Sequence, residues 1–305
     1  MKIRYGIISN NIDVTEICVS KLLNNNIITI PDDDYNRAQL FTDPVYGTVK
    51  NIFILINEDL TIYDDNLIIK INVINKDITT ISRVDINNKL KNIHSKLQIN
   101  YGSLNDELPE QKMVIRYLTG NEKVLEIGSN IGRNSLIIAS ILGENQNNLV
   151  TLESDTYIAS QLLENRDLNN LNFKIENSAL SKRKLIQKGW DTMVSDKLSD
   201  ELLDGYQNVN TITLDELHLK YNINFDTLVL DCEGAFYYIL MDMPEILNNI
   251  NLIIMENDYH NISEKLYIDE ILKKNNFYVD YVEGIHNMGW NVCHSNFFEV
   301  WKKSG

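Results

Sequence analysis

The residues best suited to chemistry cluster where Lys123-Val124-Leu125-Glu126-Ile127 runs into Gly128-Ser129-Asn130-Ile131-Gly132 and then Arg133-Asn134. Glycines at 128 and 132 let the backbone turn sharply and lie close to a ligand. A dinucleotide fold wants G-x-G-x-x-G, but position 130 is Asn. A P-loop wants Gly-Lys-Ser/Thr, but Arg133 and Asn134 follow the second glycine. With both phosphate patterns missing, the carboxylate of Glu126 argues for a cationic ligand. The sulfonium and ammonium groups of S-adenosylmethionine meet that requirement, whereas a pyrophosphate does not. A second acidic strand end, Val150-Thr151-Leu152-Glu153-Ser154, can accept hydrogen bonds from both hydroxyls of a ribose. The cofactor set expected here is Glu126, Gly128, Ser129, Asn130, Gly132, Glu153 and Ser154. The bland alternative is a tight turn flanked by solvated carboxylates.

Two more strand ends carry acids: Asp231-Cys232-Glu233-Gly234, and Glu256 with Asp258 and His260. Transfer of a methyl group from a sulfonium is an in-line displacement that depends on alignment. A hydroxyl acceptor must also lose its proton to a nearby base. Asp231 is expected to serve as base or acceptor anchor at the edge of the cofactor pocket. Glu233 and His260 compete for the role of base, and Glu256 is expected to face the acceptor. These oxygen-rich side chains also suit a magnesium ion that would lower the acceptor pKa, although no metal-ligand set is singled out.

The elements that must hold these residues follow from periodicity. Apolar runs at 124–127, 149–152, 173–175, 227–230 and 252–255 alternate with helical spacing at segments such as 135–142, 157–168 and 263–272. Strand–helix alternation predicts a parallel sheet covered on both faces. The last two strands, 277–282 and 297–301, have no helix between them and should form an antiparallel edge hairpin. The loop joining them opens on the same rim and carries His286, Trp290 and His294. Ahead of all this, Ile52-Phe53-Ile54-Leu55-Ile56, Leu60-Thr61-Ile62-Tyr63 and the run from Leu67 to Ile74, separated by Asn/Asp turns, read as an antiparallel meander. Residues 87–110 turn polar and irregular up to Pro109. The expected division is a strand-rich N-terminal domain at 1–100 and an α/β domain at 101–305.

Four segments resemble the class I methyltransferases and, within them, the FkbM family of O-methyltransferases. They are Val124-Leu125-Glu126-Ile127-Gly128-Ser129-Asn130-Ile131-Gly132, Glu176-Asn177-Ser178-Ala179-Leu180-Ser181, Thr213-Leu214-Asp215, and Thr227-Leu228-Val229-Leu230-Asp231-Cys232-Glu233-Gly234. The resemblance runs from about residue 105 to the end. It departs from the family pattern at Phe236, where Glu is usual, and at Ser154, where Pro is usual. It implies a Rossmann-like seven-stranded methyltransferase sheet with an antiparallel last strand, and S-adenosylmethionine as cofactor. It also implies that Ser178 and Ala179 lie near the adenine, and that the acceptor is a sugar hydroxyl, free, nucleotide-linked or within a glycan. Trp290 would then stack on the apolar face of the sugar, with His286 and Glu256 beside it. The rival readings are a non-catalytic methyltransferase-fold scaffold and an RNA ribose methyltransferase. Methylation of DNA bases is disfavoured, because the 231–234 turn lacks a proline-aromatic platform.

Composition narrows the partners. A net charge of −15 with scattered Lys and Arg opposes nucleic acid and anionic membrane surfaces. No run of about 18 apolar residues could span a bilayer. Three widely spaced cysteines, Cys18, Cys232 and Cys293, form no disulfide framework or zinc pattern, which fits a reducing cytoplasm. For the N-terminal domain, homo-oligomerisation, acceptor recruitment and covering of the crevice stay open, with packing on the catalytic domain as the default.

Overall fold

The computed structural model describes residues 1–195, 205–285 and 291–304. The chain divides into two compact units, Met1–Lys89 and Leu90–Gly305. The division falls inside a helix, Arg83–His94, within the stretch whose polar sequence suggests an irregular linker. Among the described residues no helix is long and apolar enough to cross a membrane.

In the first unit, β-branched runs between Asn/Asp turns form β1 (Lys2–Ile7), β2 (Asn10–Asp13), β3 (Leu23–Asn24), β4 (Ile27–Ile30), β5 (Asn51–Ile56), β6 (Asp59–Tyr63), β7 (Leu67–Asn72) and β8 (Ile78–Ser82). Helices α1 (Thr15–Ile17) and α2 (Asp34–Phe41) interrupt them, and α3 (Arg83–His94) follows. β5 and β6 pair antiparallel as expected, but the meander does not continue. The strands form two sheets, ordered β2-β1-β5-β6 and β3-β4-β7-β8. The turn at Asp64-Asp65-Asn66 therefore carries the chain from one sheet to the other. Burial is the physical reason: Ile3, Tyr5, Ile52 and Ile54 of one sheet share a core with Ile28, Ile30, Ile69 and Ile71 of the other. Arg37, fully buried on α2, pins the crossing by donating to the carbonyls of Pro31, Asp64 and Leu67.

The second unit is built on β9 (Val124–Ile127), β10 (Leu149–Leu152), β11 (Lys174–Glu176), β12 (Ala179–Leu180), β13 (Leu185–Lys188), β14 (Asp191–Val194), β15 (Gln207–Val209), β16 (Thr211–Ile212), β17 (Thr227–Leu230), β18 (Leu252–Glu256), β19 (Phe277–Glu283) and β20 (Phe298–Lys303). Its helices are α4 (Leu108–Tyr117), α5 (Arg133–Leu142), α6 (Thr156–Leu168), α7 (Leu214–Tyr221), α8 (Ala235–Asp242) and α9 (Ile262–Lys274). Seven strands make one sheet in the order β11-β10-β9-β17-β18-β20-β19. β20 is antiparallel to both neighbours, and the other strands run parallel, so the Rossmann-like sheet expected from the sequence is present. Between β11 and α7 the chain adds a parallel pair, β12 with β16, and a small sheet, β14-β13-β15. Sequence periodicity gave no sign of the latter.

Alternation along the strands sorts their side chains. Leu125, Ile127, Leu228, Leu230, Ile253 and Met255 join a core with α7, α8 and α9. A Leu125→Ala truncation there would cost roughly 2–5 kcal/mol. Glu126, between Leu125 and Ile127, must point to the opposite face.

Candidate active site

The strand order reverses between β9 and β17, and ligands of open α/β sheets bind beyond the carboxyl ends of the strands at such a point. Register brings the acidic ends into one row. Ile127 lies opposite both Leu152 and Leu230, and Leu230 lies opposite Met255. The next residues on the four strands are Gly128, Glu153, Asp231 and Glu256.

Gly128 has φ +85°, and a Cβ there would sit 1.6 Å from the carbonyl oxygen of Asp231. No other residue type allows the two loops to approach this closely. The loop is fastened to β10 by the amides of Gly128 and Ser129 and the hydroxyl of Ser129, all donating to the Leu152 carbonyl. Gly132, at φ +91°, then opens α5. Asn130, Glu107 and Glu233, none of them glycine, also take positive φ, at 50°, 57° and 50°. Such conformations cost about 1–2 kcal/mol each for L-residues and gather at functional sites.

Glu153 accepts from the amides of Asn130 and Asp155, both at 2.8 Å, one on each carboxylate oxygen. Burial nevertheless pushes its pKa up. Ser154 donates to Gln187 on β13. Ser178 donates to Glu176, which also accepts from Lys220 and Tyr221. Ala179 begins the pair with β16. Glu126 lies beneath α5, 2% exposed, accepting from Ser135 at 2.5 Å. Burial raises its carboxyl to about 7 in spite of that bond.

The remaining candidates converge on one rim. Asp231 is pushed well above the usual carboxylate range, first by burial and then by Glu107, Glu110, Glu233 and Glu126. Glu256 meets Glu110 carboxyl to carboxyl, and burial raises both, Glu256 the further because it also feels Asp231. Glu233 pairs with Asp258 in the same way and is raised to about 7, with burial as the larger cause. Asp258 also accepts from Asn291 at 2.8 Å, which ties the end of the β19–β20 loop to this rim. Arg133 supplies positive charge, bound to Glu107 at 2.5 Å and to Asp106 at 3.7 Å. His260 is exposed, and His294 faces the carbonyl of Asn291. His286 and Trp290, expected to contact the acceptor, lie outside the described residues. Among the described residues no three His, Cys, Asp or Glu side chains are arranged to hold a metal ion. Asp231, Glu233, Glu256, Asp258 and His260 therefore do not form the magnesium set their types suggest.

Sequence reasoning missed Glu107, Glu110 and Arg133. The available signal was Leu108-Pro109-Glu110, since proline is favoured in the first turn of a helix and an acid complements its dipole there.

No protein-family model matches the chain, and no curated protein matches its sequence. Solved structures resemble it at a distance. An O-methyltransferase from Bacillus cereus in complex with SAH is 16% identical, with 71% of this chain and 91% of that one covered at a TM-score of 0.41. A methyltransferase from Pyrococcus furiosus is 14% identical, with 73% and 98% covered at 0.39. The ribosomal protein L11 methylase from Lactobacillus delbrueckii subsp. bulgaricus is 12% identical, with 68% and 82% covered at 0.39. Likenesses this distant leave the substrate and reaction to be read from the chain's own residues.

Proposed function

We propose that the chain is an S-adenosylmethionine-dependent methyltransferase acting on a sugar hydroxyl. The observation that carries the cofactor reading is the row of Gly128, Glu153, Asp231 and Glu256 at the switch point of the sheet. It offers carboxylates and a close backbone turn, and the first loop has no phosphate-binding pattern. Each oxygen of Glu153 keeps a lone pair beyond its amide bond, which suits two ribose hydroxyls. The acids gathered around Asp231 hold protons that an entering sulfonium would release, because an opposite charge favours the ionised form. The sugar hydroxyl rests on the resemblance of the four segments to O-methyltransferases.

The cofactor supplies an electrophilic methyl group. The chain's part is to align the acceptor and take up its proton. A base works best with a pKa near the ambient pH, and Glu233, at about 7, fits that requirement. Asp231 holds its proton more tightly and fits the role of anchor, hydrogen-bonding the acceptor or the amino group of the cofactor. Ser178 and Ala179, after β11, fit the adenine side of the crevice.

Calorimetric titration with S-adenosylmethionine and its demethylated product, followed by transfer of labelled methyl to a panel of sugars, tests this reading. Micromolar binding with transfer is expected. Binding without transfer to any hydroxyl would favour a scaffold, and absence of binding would end the proposal.

A further inference from the structure

Between Leu180 and Thr211 the chain leaves the seven-stranded sheet and builds the small sheet β14-β13-β15. The two ends of this excursion lie side by side, because β12 and β16 pair with Ala179 opposite Thr211 and Leu180 opposite Ile212. It is thus rooted just beyond the end of β11. Its first strand then reaches the end of the next strand, where Ser154 donates to the carboxamide oxygen of Gln187 at 2.7 Å. Asn177 fastens the two strand ends to each other by donating to the Glu153 carbonyl at 2.8 Å. The small sheet therefore bridges the carboxyl ends of β10 and β11, the half of the crevice next to Glu153.

The same carboxamide also fixes the tip of the excursion. Nε2 of Gln187 donates to the Gly189 carbonyl at 2.8 Å, inside the two-residue turn Gly189-Trp190 that joins β13 to β14. Tyr206 braces the turn from β15 by donating its hydroxyl to Asp191. One side chain thus links the residue after Glu153 to the residue before Trp190. On this tip Trp190 is 63% exposed. Tryptophan is highly buried on average, so an indole left in solvent on a turn secured by side-chain bonds is informative.

We propose that Trp190 covers the nucleoside end of the crevice and stacks its indole on the adenine of the cofactor. The proposal rests on the reading of Glu153 as the holder of the ribose. Carboxylates can hold ribose hydroxyls and attract a sulfonium, but neither contact recognises the base. A base presents a flat π face to any aromatic ring, and stacking on it needs no particular pattern of donors and acceptors. An indole arriving from the small sheet would supply that contact and shield one side of the adenosine from water.

The test uses the full chain, titrated with S-adenosylhomocysteine, adenosine and homocysteine while tryptophan emission and heat are followed in parallel. The part of the emission that disappears in the Trp190→Phe variant is expected to be quenched by S-adenosylhomocysteine and by adenosine, and not by homocysteine. By calorimetry the Trp190→Ala variant should bind S-adenosylhomocysteine and adenosine about tenfold more weakly, by the same factor for both, while Trp190→Phe stays within about threefold of the original chain. Circular dichroism should be unchanged in both variants. A Trp190 emission indifferent to saturating S-adenosylhomocysteine, or a Trp190→Ala affinity within about twofold of the original, would overturn the proposal and leave the methyltransferase reading standing. If the original chain binds neither S-adenosylhomocysteine nor adenosine, the cofactor reading fails and the Trp190 assignment fails with it.

Discussion

Buried charge is handled in opposite ways in the two units. In the first, Lys50, 2% exposed, is held by Asp34 at 2.9 Å and Asp43 at 3.0 Å, and Arg37 donates to three carbonyls. Every buried cation there has its acceptors. In the second unit the rim gathers Asp231 and Glu256, their acidity suppressed by burial and by neighbouring acids, with Glu110, raised by burial and by Glu283, and Glu233 on the exposed lip, raised by partial burial and by its bond to Asp258. Even within that unit the contrast holds, because Lys265 is satisfied by Glu299 and Asp269 beside the buried Trp301. A compensated buried charge organises the fold. An uncompensated cluster at a strand-end crevice stores unfavourable energy that a ligand of opposite charge can relieve.

The sharpest break of this comparison is Arg37→Met. It leaves three inward carbonyls unpaired at the sheet crossing, and it should cost about 3–5 kcal/mol in urea denaturation followed by far-ultraviolet dichroism. A loss under 1 kcal/mol would mean that Arg37 is dispensable. Gly128→Ala acts on the other unit. A methyl group 1.6 Å from the Asp231 carbonyl oxygen must push the two loops apart, and cofactor affinity should fall about 100-fold or more by calorimetry.

The Glu126 carboxyl provides a pH test. Its folded value, about 7, exceeds the ordinary 4.5, so the folded state holds the proton more tightly than the unfolded chain. Stability from this group is present below about 4.5 and is withdrawn as the pH rises to about 7, by up to roughly 3 kcal/mol. In parallel denaturant titrations the Glu126→Gln variant should therefore gain on the original chain across that window. A difference constant with pH would refute the assignment.

Glu153→Gln keeps the shape but removes the charge that accepts the Asn130 amide and, on our reading, the ribose hydroxyls. Cofactor affinity should drop about tenfold, and the unfolding midpoint should fall as well, because the new amide nitrogen must face one of the two backbone N–H groups that Glu153 now satisfies. The smallest expected effect is the most discriminating. Without ligand, Glu110→Gln should be neutral or stabilising by about 1 kcal/mol, because it removes an uncompensated buried acid. A clear destabilisation would move Glu110 into the class of Arg37.

Much of the second unit is legible in the sequence. β9, β10, β17 and β18 are parallel strands buried on both faces, so they appear as unbroken apolar runs whose ends can be counted to the residue. Their ends carry Gly128, Glu153, Asp231 and Glu256, which is why most of the rim could be named in advance. Glu107 and Glu110 could not. They stand on a helix whose first turn contains Pro109, in a stretch where polar residues suggest a linker, and no local pattern reports which strands a helix will cover. In the first unit, each strand of β5, β6 and β7 was recognisable, but their sharing among two sheets was not. β1 pairs with β5 across more than 40 residues, and turn residues do not encode such pairings.

What the sequence determined alone is therefore local: strand runs, glycine turns and the acids that end the strands, each dictated by backbone sterics and side-chain period. What only the tertiary structure decided is which charges meet. Glu110 faces Glu256, Glu233 faces Asp258, and Glu126 turns beneath Ser135, because sheet order and helix packing set distances between residues far apart in the chain. The strength of a charge's effect depends on those distances and on the water they exclude.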